Sequence, residues 1–338
     1  MNLADFDPNG AATYDGIFGL PTAPQEARVV LIPVPFDATT SYRRGASVGP
    51  IALLNASRQV DLHDVETGDP WQAGIAMLPI PPELQAWNAQ ARDAVDRARD
   101  EANPDAAWVR QANELSDAVL RWVQETSENL LDDGKIVGVV GGDHASPLGA
   151  IVAASARVPN LGILHIDAHA DLRVAYEGFE QSHASIMHNA LARCPSLTRL
   201  VQVGVRDVCK AEVDAIATSA GRIRTFFDPA IAARLLDGEP FSSIARDILE
   251  TLPDNVWVSF DIDGLEPSLC PSTGTPVPGG LSFQQAMALI RGLVRSGRRV
   301  VGFDLCEVAG PEDGDGLDGI VGARVLYKLI GWSIVSRA

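Results

Sequence analysis

Residues 163–173 read ILHIDAHADLR, an apolar run that turns into two carboxylates, Asp167 and Asp171, interleaved with two imidazoles, His165 and His169. Unpaired charges at the edge of a core are costly to desolvate, so this concentration calls for a partner of opposite sign. Two more clusters share the pattern: GGDHAS carries Asp143 and His144 after KIVGVV, and VWVSF runs into Asp261 and Asp263. Four or five carboxylates aimed into one crevice cannot all stay ionised without a strong positive charge between them. A divalent metal supplies it. Imidazoles and carboxylate oxygens without a thiolate suit Mn²⁺ and accept Ni²⁺, Co²⁺ or Zn²⁺, whereas Ca²⁺ and Mg²⁺ seldom take histidine. Six ligands drawn from these clusters exceed one site and suit two ions sharing bridging carboxylates. A lone Asp-x-His is an ordinary solvated loop; three clusters, each after an apolar run, are not.

The elements that must position these groups are Val- and Ile-rich runs: ARVVLIPV, KIVGVVGG, LGILHID, RLVQVGV, RIRTFF, VWVSFDID and RVVGFDLCEV. Continuous apolar strands alternating with helices predict a mostly parallel sheet covered on both faces, a three-layer α/β architecture. Ligands of such sheets bind beyond the carboxyl ends of the strands, where all three clusters fall. Spacing of two predicts that Asp167, His169 and Asp171 share one side of an extended segment, as do Asp261 and Asp263. Two helices are expected over 83–131, where Trp108, Val109, Ala112, Leu115, Val119, Trp122 and Val123 recur at helical spacing as a packing face. Residues 1–27 read as an irregular arm and 28–338 as a single domain.

A formal net charge of -17 argues against nucleic-acid or anionic-membrane partners and is compatible with a cationic substrate. Cys194, Cys209, Cys270 and Cys306 show no C-x-x-C spacing, so neither a zinc knuckle nor a disulfide framework is indicated. No signal-peptide pattern or apolar run of membrane-spanning length is present, and a cytoplasmic location is expected.

The segments GGDHAS, DAHADLR and SFDIDGLEPSLCPSTGTPVPGGLS, with VPFDATTSYRRGASVGP before them and GFDLCEVAGPEDG after, resemble the signatures of the ureohydrolase family of arginases, agmatinases and related guanidino hydrolases. The resemblance spans roughly 28–335. Glu266 stands in DGLEPS where Asp is common. It implies an α/β/α sandwich around a mostly parallel eight-stranded sheet, assembled as homotrimers or homohexamers. It also implies two Mn²⁺ ions per chain, one held by His144, Asp167, Asp171 and Asp261 and the other by Asp167, His169, Asp261 and Asp263. Asp167 and Asp261 would bridge. Asp171 would also orient the attacking water, His183 in QSHASIMHN would shuttle protons, and Glu307 in LCEVAG would pair with the guanidinium. His165 is expected in packing or in support of the ligands, and Arg173, Tyr176 and Glu177 in the pocket wall or a solvated loop.

The stretch LRVAYEGFEQSHAS lacks the Asn and Ser with which arginine-cleaving relatives hold the amino-acid head group, and it resembles the agmatinase arrangement. Agmatine is therefore the expected substrate. Guanidine, under Ni²⁺, and guanidino acids such as 4-guanidinobutyrate are the alternatives. A catalytically silent subunit would usually have lost ligands, and an amide hydrolase or deacetylase would leave Glu307 without a cationic partner.

Overall fold

The computed structural model describes residues 6–100 and 106–338; the first five residues of the arm and residues 101–105 of the helical segment lie outside the described residues. The apolar runs form β1 (Val29–Val34), β3 (Ile136–Gly141), β4 (Leu161–Ile166), β5 (Leu197–Val203), β6 (Ile223–Phe226), β7 (Asn255–Asp261) and β8 (Arg299–Cys306). An eighth strand, β2 (Ile75–Met77), escapes sequence reading because three residues are too few to show a pattern. The order is β2-β1-β3-β8-β7-β4-β5-β6, and every pairing is parallel. Every residue of β1, β3 and β4 is buried, as strands covered on both faces require.

Helices α1 (Gly49–Ala56), α8 (Phe241–Leu249), α9 (Phe283–Arg295) and α10 (Leu317–Val335) share one core, through Leu53, Ile248, Ile290 and Leu326. On the other face α3 (Ala106–Asp132), α4 (Leu148–Arg157) and α5 (Ile186–Arg193) bury Val119, Ile151 and Met187. The sheet between them makes the α/β/α sandwich, with α6 (Lys210–Thr218) following β5 and α7 (Asp228–Leu236) following β6. Against α3 lies α2 (Pro82–Asp100), so the described residues of the 83–131 segment form two packed helices, the α2–α3 hairpin. The N-terminal arm is irregular but packed, with Ile17, Phe18 and Leu20 buried in the first core.

One glycine matters to the site. Gly302 on β8 pairs with Trp257 on β7, and a Cβ at 302 would lie 2.2 Å from the indole. Its absence leaves room for a buried Trp257 whose Nε1 donates to Asp304 at 2.6 Å.

Candidate metal centre

Strands β3, β8, β7 and β4 are consecutive neighbours in the sheet, and the chemistry sits at their carboxyl ends. Asp143 and His144 follow β3, Glu307 follows β8, Asp261 ends β7, and Asp167 follows β4. The expectation of extended segments is corrected here. Asp263 lies in a 3-10 turn, Ile262–Gly264, and Asp171 has φ of 53°, so the chain leaves the pleat to bring these carboxylates round. Glu307 is also left-handed, with φ of 60°. Two non-glycine residues held in that sparse region, both at one site, are the kind of strain that surrounding structure must sustain.

His144 Nδ1 lies 2.9 Å from Asp167 Oδ2, 3.2 Å from Asp261 Oδ2 and 3.3 Å from Asp171 Oδ2. His169 Nδ1 lies 3.2 Å from Asp263 Oδ2 and 3.4 Å from Asp167 Oδ1. Asp167 thus offers one oxygen to each half of the cluster. Backbone N–H groups aim the carboxylates: His169 N donates to Asp167 Oδ1 at 2.6 Å, Asp263 N to Asp261 Oδ1 at 2.8 Å, and Ala168 N to Asp263 Oδ1 at 3.0 Å. All six expected ligands therefore converge.

Residues that sequence reading passed over orient them. Ser259 Oγ lies 2.9 Å from His144 Nε2 and donates to Asp304 Oδ1 at 3.0 Å, while Asp304 also accepts from Phe260 N and Trp257 Nε1. With its single hydroxyl proton directed at Asp304, Ser259 accepts from Nε2–H, so Nδ1 is the nitrogen turned toward the carboxylates. Their one trace in the sequence is a polar residue inside an apolar run, Ser259 in VWVSF and Asp304 in GFDLC, which does not by itself tell an orienting role from a packing one. His165 supports rather than packs, with Nε2 2.8 Å from Asp167 Oδ2.

A cavity of about 200 Å³ opens beside the cluster, walled by His169, Asp171, Arg173, Tyr176, His183 and Asp207, among others. Ser41 Oγ lies 3.3 Å from His183 Nε2. Of the loop residues, Arg173 and Tyr176 do form wall, the guanidinium 4.5 Å above the ring, whereas Glu177 turns away to Arg99. Glu307 is buried, and its Oε1 accepts from His144 N at 3.0 Å. Its Oε2 is buried with no hydrogen-bond partner among the described residues.

The electrostatics show a demand for cations. Burial opposes charge on His144 and His169, yet the facing carboxylates win: His144 is held well above its ordinary value and His169 is pushed up to about 12. Burial and neighbouring aspartates push Asp171 up to about 6 and Asp261 well above the usual carboxylate range. Burial, then His169 and Arg99, push His183 down to about 3, so its imidazole is neutral at physiological pH. The donor set, two imidazoles and four carboxylates without a thiolate, fits divalent ions, which meet the same demand that protons meet here.

An arginase-family model matches residues 27–331. An N(1)-aminopropylagmatine ureohydrolase of Thermus thermophilus is 33% identical, covering 93% of this chain and 94% of its own. The agmatinase of Bacillus subtilis is 28% identical, over 88% and 89% respectively. The fold is shared with the agmatine ureohydrolase of Thermoplasma volcanium, with a TM-score of 0.74 at 24% identity, covering 96% of this chain and 95% of that one. Motif order, sheet topology and a match of that extent agree, and the chain belongs to the arginase family, as one of its ureohydrolases.

Proposed function

We propose that this chain hydrolyses agmatine to urea and putrescine, using two divalent ions held by His144, Asp167, His169, Asp171, Asp261 and Asp263. The observation that carries the reading is Glu307 Oε2, a buried carboxylate oxygen without a partner beside the cluster. A guanidinium is its natural complement, because two of its N–H groups meet a carboxylate side by side.

Guanidinium carbon is a poor electrophile, stabilised over three nitrogens. Bound divalent ions lower the pKa of water toward neutrality and so supply a nucleophile. The protein's own groups do the rest. Glu307 holds the guanidinium, and Asp171 accepts a hydrogen bond from the attacking water. Neutral His183, steadied by Ser41, would accept a proton released as water adds and pass it to the departing amine. Asp207 and Glu212 also line the cavity; Glu212 faces the Arg173 guanidinium at 3.8 Å and offsets it, which leaves Asp207 to favour a cationic tail.

The name of the Thermus relative favours a second reading with the same chemistry and a longer cationic tail, N(1)-aminopropylagmatine. Urea release with Mn²⁺ or Ni²⁺ decides between them across agmatine, N(1)-aminopropylagmatine, arginine, guanidine and 4-guanidinobutyrate. Agmatine should exceed arginine in kcat/KM by about a hundredfold or more, because an unpaired, desolvated α-carboxylate is rejected strongly. Arginine or 4-guanidinobutyrate as the best substrate would overturn the cationic-tail reading.

A further inference from the structure

The α2–α3 hairpin provides none of the six ligands, yet its interior is occupied by the active-site loop. Ala94, Val95 and Ala98 of α2 and Ala112 of α3 form a small separate core around Phe179, with Trp108 and Val109 packed against it. Phe179 comes from the loop between Asp171 and His183, and it is 2% exposed. Polar contacts flank this pin. Asn113 Nδ2 donates to Gly178 O at 3.0 Å, and its Oδ1 accepts from Glu180 N at 2.9 Å. Arg99, near the end of α2, donates to Glu177 Oε2 at 2.6 and 2.9 Å, to Thr40 O at 3.0 Å and to Thr39 O at 3.2 Å. Thr39 Oγ1 accepts from His183 N at 3.3 Å, and the next segment residue but one, Ser41, faces the His183 ring.

The loop's own backbone opposes this shape. Ala175, Glu177 and Gly178 have φ of 45°, 56° and 89°, and left-handed alanine and glutamate persist only where neighbours impose them.

We propose that the α2–α3 hairpin is a clamp on the substrate pocket: Phe179, Arg99 and Asn113 act as positioning residues that hold the Tyr176 wall and the His183 backbone in place and thereby set which guanidino tails fit. The effect on tails rests on the guanidino-hydrolase reading above; the clamping of the loop does not.

The test uses the full chain and the variants Phe179→Ala, Phe179→Leu and Arg99→Met. Hydrogen–deuterium exchange reads the peptide over 173–182 against peptides of β3 and β4, and urea release reads KM and kcat over guanidino compounds of increasing length. Phe179→Ala and Arg99→Met should speed exchange of the loop roughly tenfold or more while leaving the strands and metal content unchanged. KM should rise roughly tenfold with a smaller change in kcat, the preference between short and long substrates should shift, and Phe179→Leu should restore most of both. Wild-type exchange of the loop in both disruptive variants overturns the clamp. So does faster exchange spread evenly over loop and strands, the mark of general destabilisation. If Phe179→Ala does not fold, Arg99→Met decides alone, since that side chain is 28% exposed. If the wild-type protein releases urea from no compound, the functional reading fails, and exchange still decides the clamp.

Discussion

Oδ2 of Asp167 lies 2.8 Å from Nε2 of His165, and the direction of that hydrogen bond is set by the neighbouring strand. Gln202 on β5 pairs with His165 in the parallel register, and its Nε2 lies 2.6 Å from Ala170 O, which can only accept. The amide is thereby oriented, and Thr225 Oγ1 donates to its Oε1 at 2.9 Å. The same Nε2 lies 3.0 Å from His165 Nδ1 and donates to it, so the imidazole proton belongs to Nε2 and points at Asp167. A carboxylate that offers oxygens to both halves of the cluster is thus held from outside by a neutral donor.

His165→Phe should therefore lower metal affinity about 10- to 100-fold, the usual cost of losing an outer partner of a metal ligand. His165→Asn, which can still donate, should lose less. Competition with a chelator measures both. Wild-type affinity in His165→Phe would remove this residue from the support of Asp167.

Asp167 and Asp263 should differ in how much metal they hold. Asp167 touches both His144 and His169, whereas among the histidines Asp263 touches His169. Asp167→Asn is expected to empty both positions and Asp263→Asn chiefly one, as elemental analysis of purified protein would show. Chelator treatment should abolish urea release and lower Tm, both restored by Mn²⁺, since a ligand bound to the folded state stabilises it. Full occupancy in Asp167→Asn would end the two-ion arrangement with a shared carboxylate.

What was legible in the sequence follows from how local each signal is. Strands such as β1, β3 and β4 were readable because a strand buried on both faces is an uninterrupted apolar run, and β5 and the edge strand β6 from shorter Val-, Ile- and Phe-containing runs; β2 was not, because its three residues are placed by pairing with β1. The six ligands were readable as charges that break apolar runs. Their geometry was not, since the left-handed turn at Asp171 is tied to Met187 N and the 3-10 turn at Asp263 to Ala168 N, partners distant in sequence. Ser259, Asp304 and Gln202 went unread because a single buried polar residue looks alike whether it orients a ligand or satisfies a neighbour. The pinning of Phe179 in the α2–α3 hairpin joins segments more than seventy residues apart in part, and no local pattern announces it.

Away from the site, Lys328 on α10 meets Asp64 Oδ2 at 2.7 Å and Glu66 Oε2 at 2.8 Å, and Arg291 on α9 meets Glu66 Oε1 at 2.6 Å. Burial works against the charge of both carboxyls, but the Lys328 ammonium holds each below its ordinary range. A depressed carboxyl contributes stability above its unfolded pKa and loses it as pH falls through the folded one. The ammonium, raised in the fold, contributes below its own unfolded pKa. Lys328→Met should therefore cost about 2 kcal/mol at pH 7, less than a fully buried pair because all three groups are partly exposed. The gap in Tm between variant and wild type should narrow below about pH 4, where carboxyls take up protons in both. A gap independent of pH would mean that Lys328 acts by packing.

Glu307→Gln separates binding from stability most cleanly. The amide oxygen can keep the hydrogen bond from His144 N, so the backbone around the site should stand, and metal content should match wild type. What disappears is the negative charge beside the guanidinium, and kcat/KM should fall by about a hundredfold or more, the scale of a charge-assisted hydrogen bond in a buried place. Stability should move the other way. Burial, then Asp143 and Asp263, push the Glu307 carboxyl well above its ordinary range, so its ionisation works against folding when neither substrate nor metal is bound. A carboxyl raised in the fold costs stability increasingly as pH climbs from the unfolded pKa toward the folded one, and glutamine escapes that cost. Free of both substrate and metal, the variant should therefore melt at or above the wild-type Tm near pH 7, with the difference shrinking toward pH 4, near the unfolded pKa. A guanidino substrate should raise the Tm of wild type and leave that of Glu307→Gln nearly unchanged. A variant that melts lower than wild type and still binds the substrate would show that Glu307 holds the loop after β8 rather than the guanidinium.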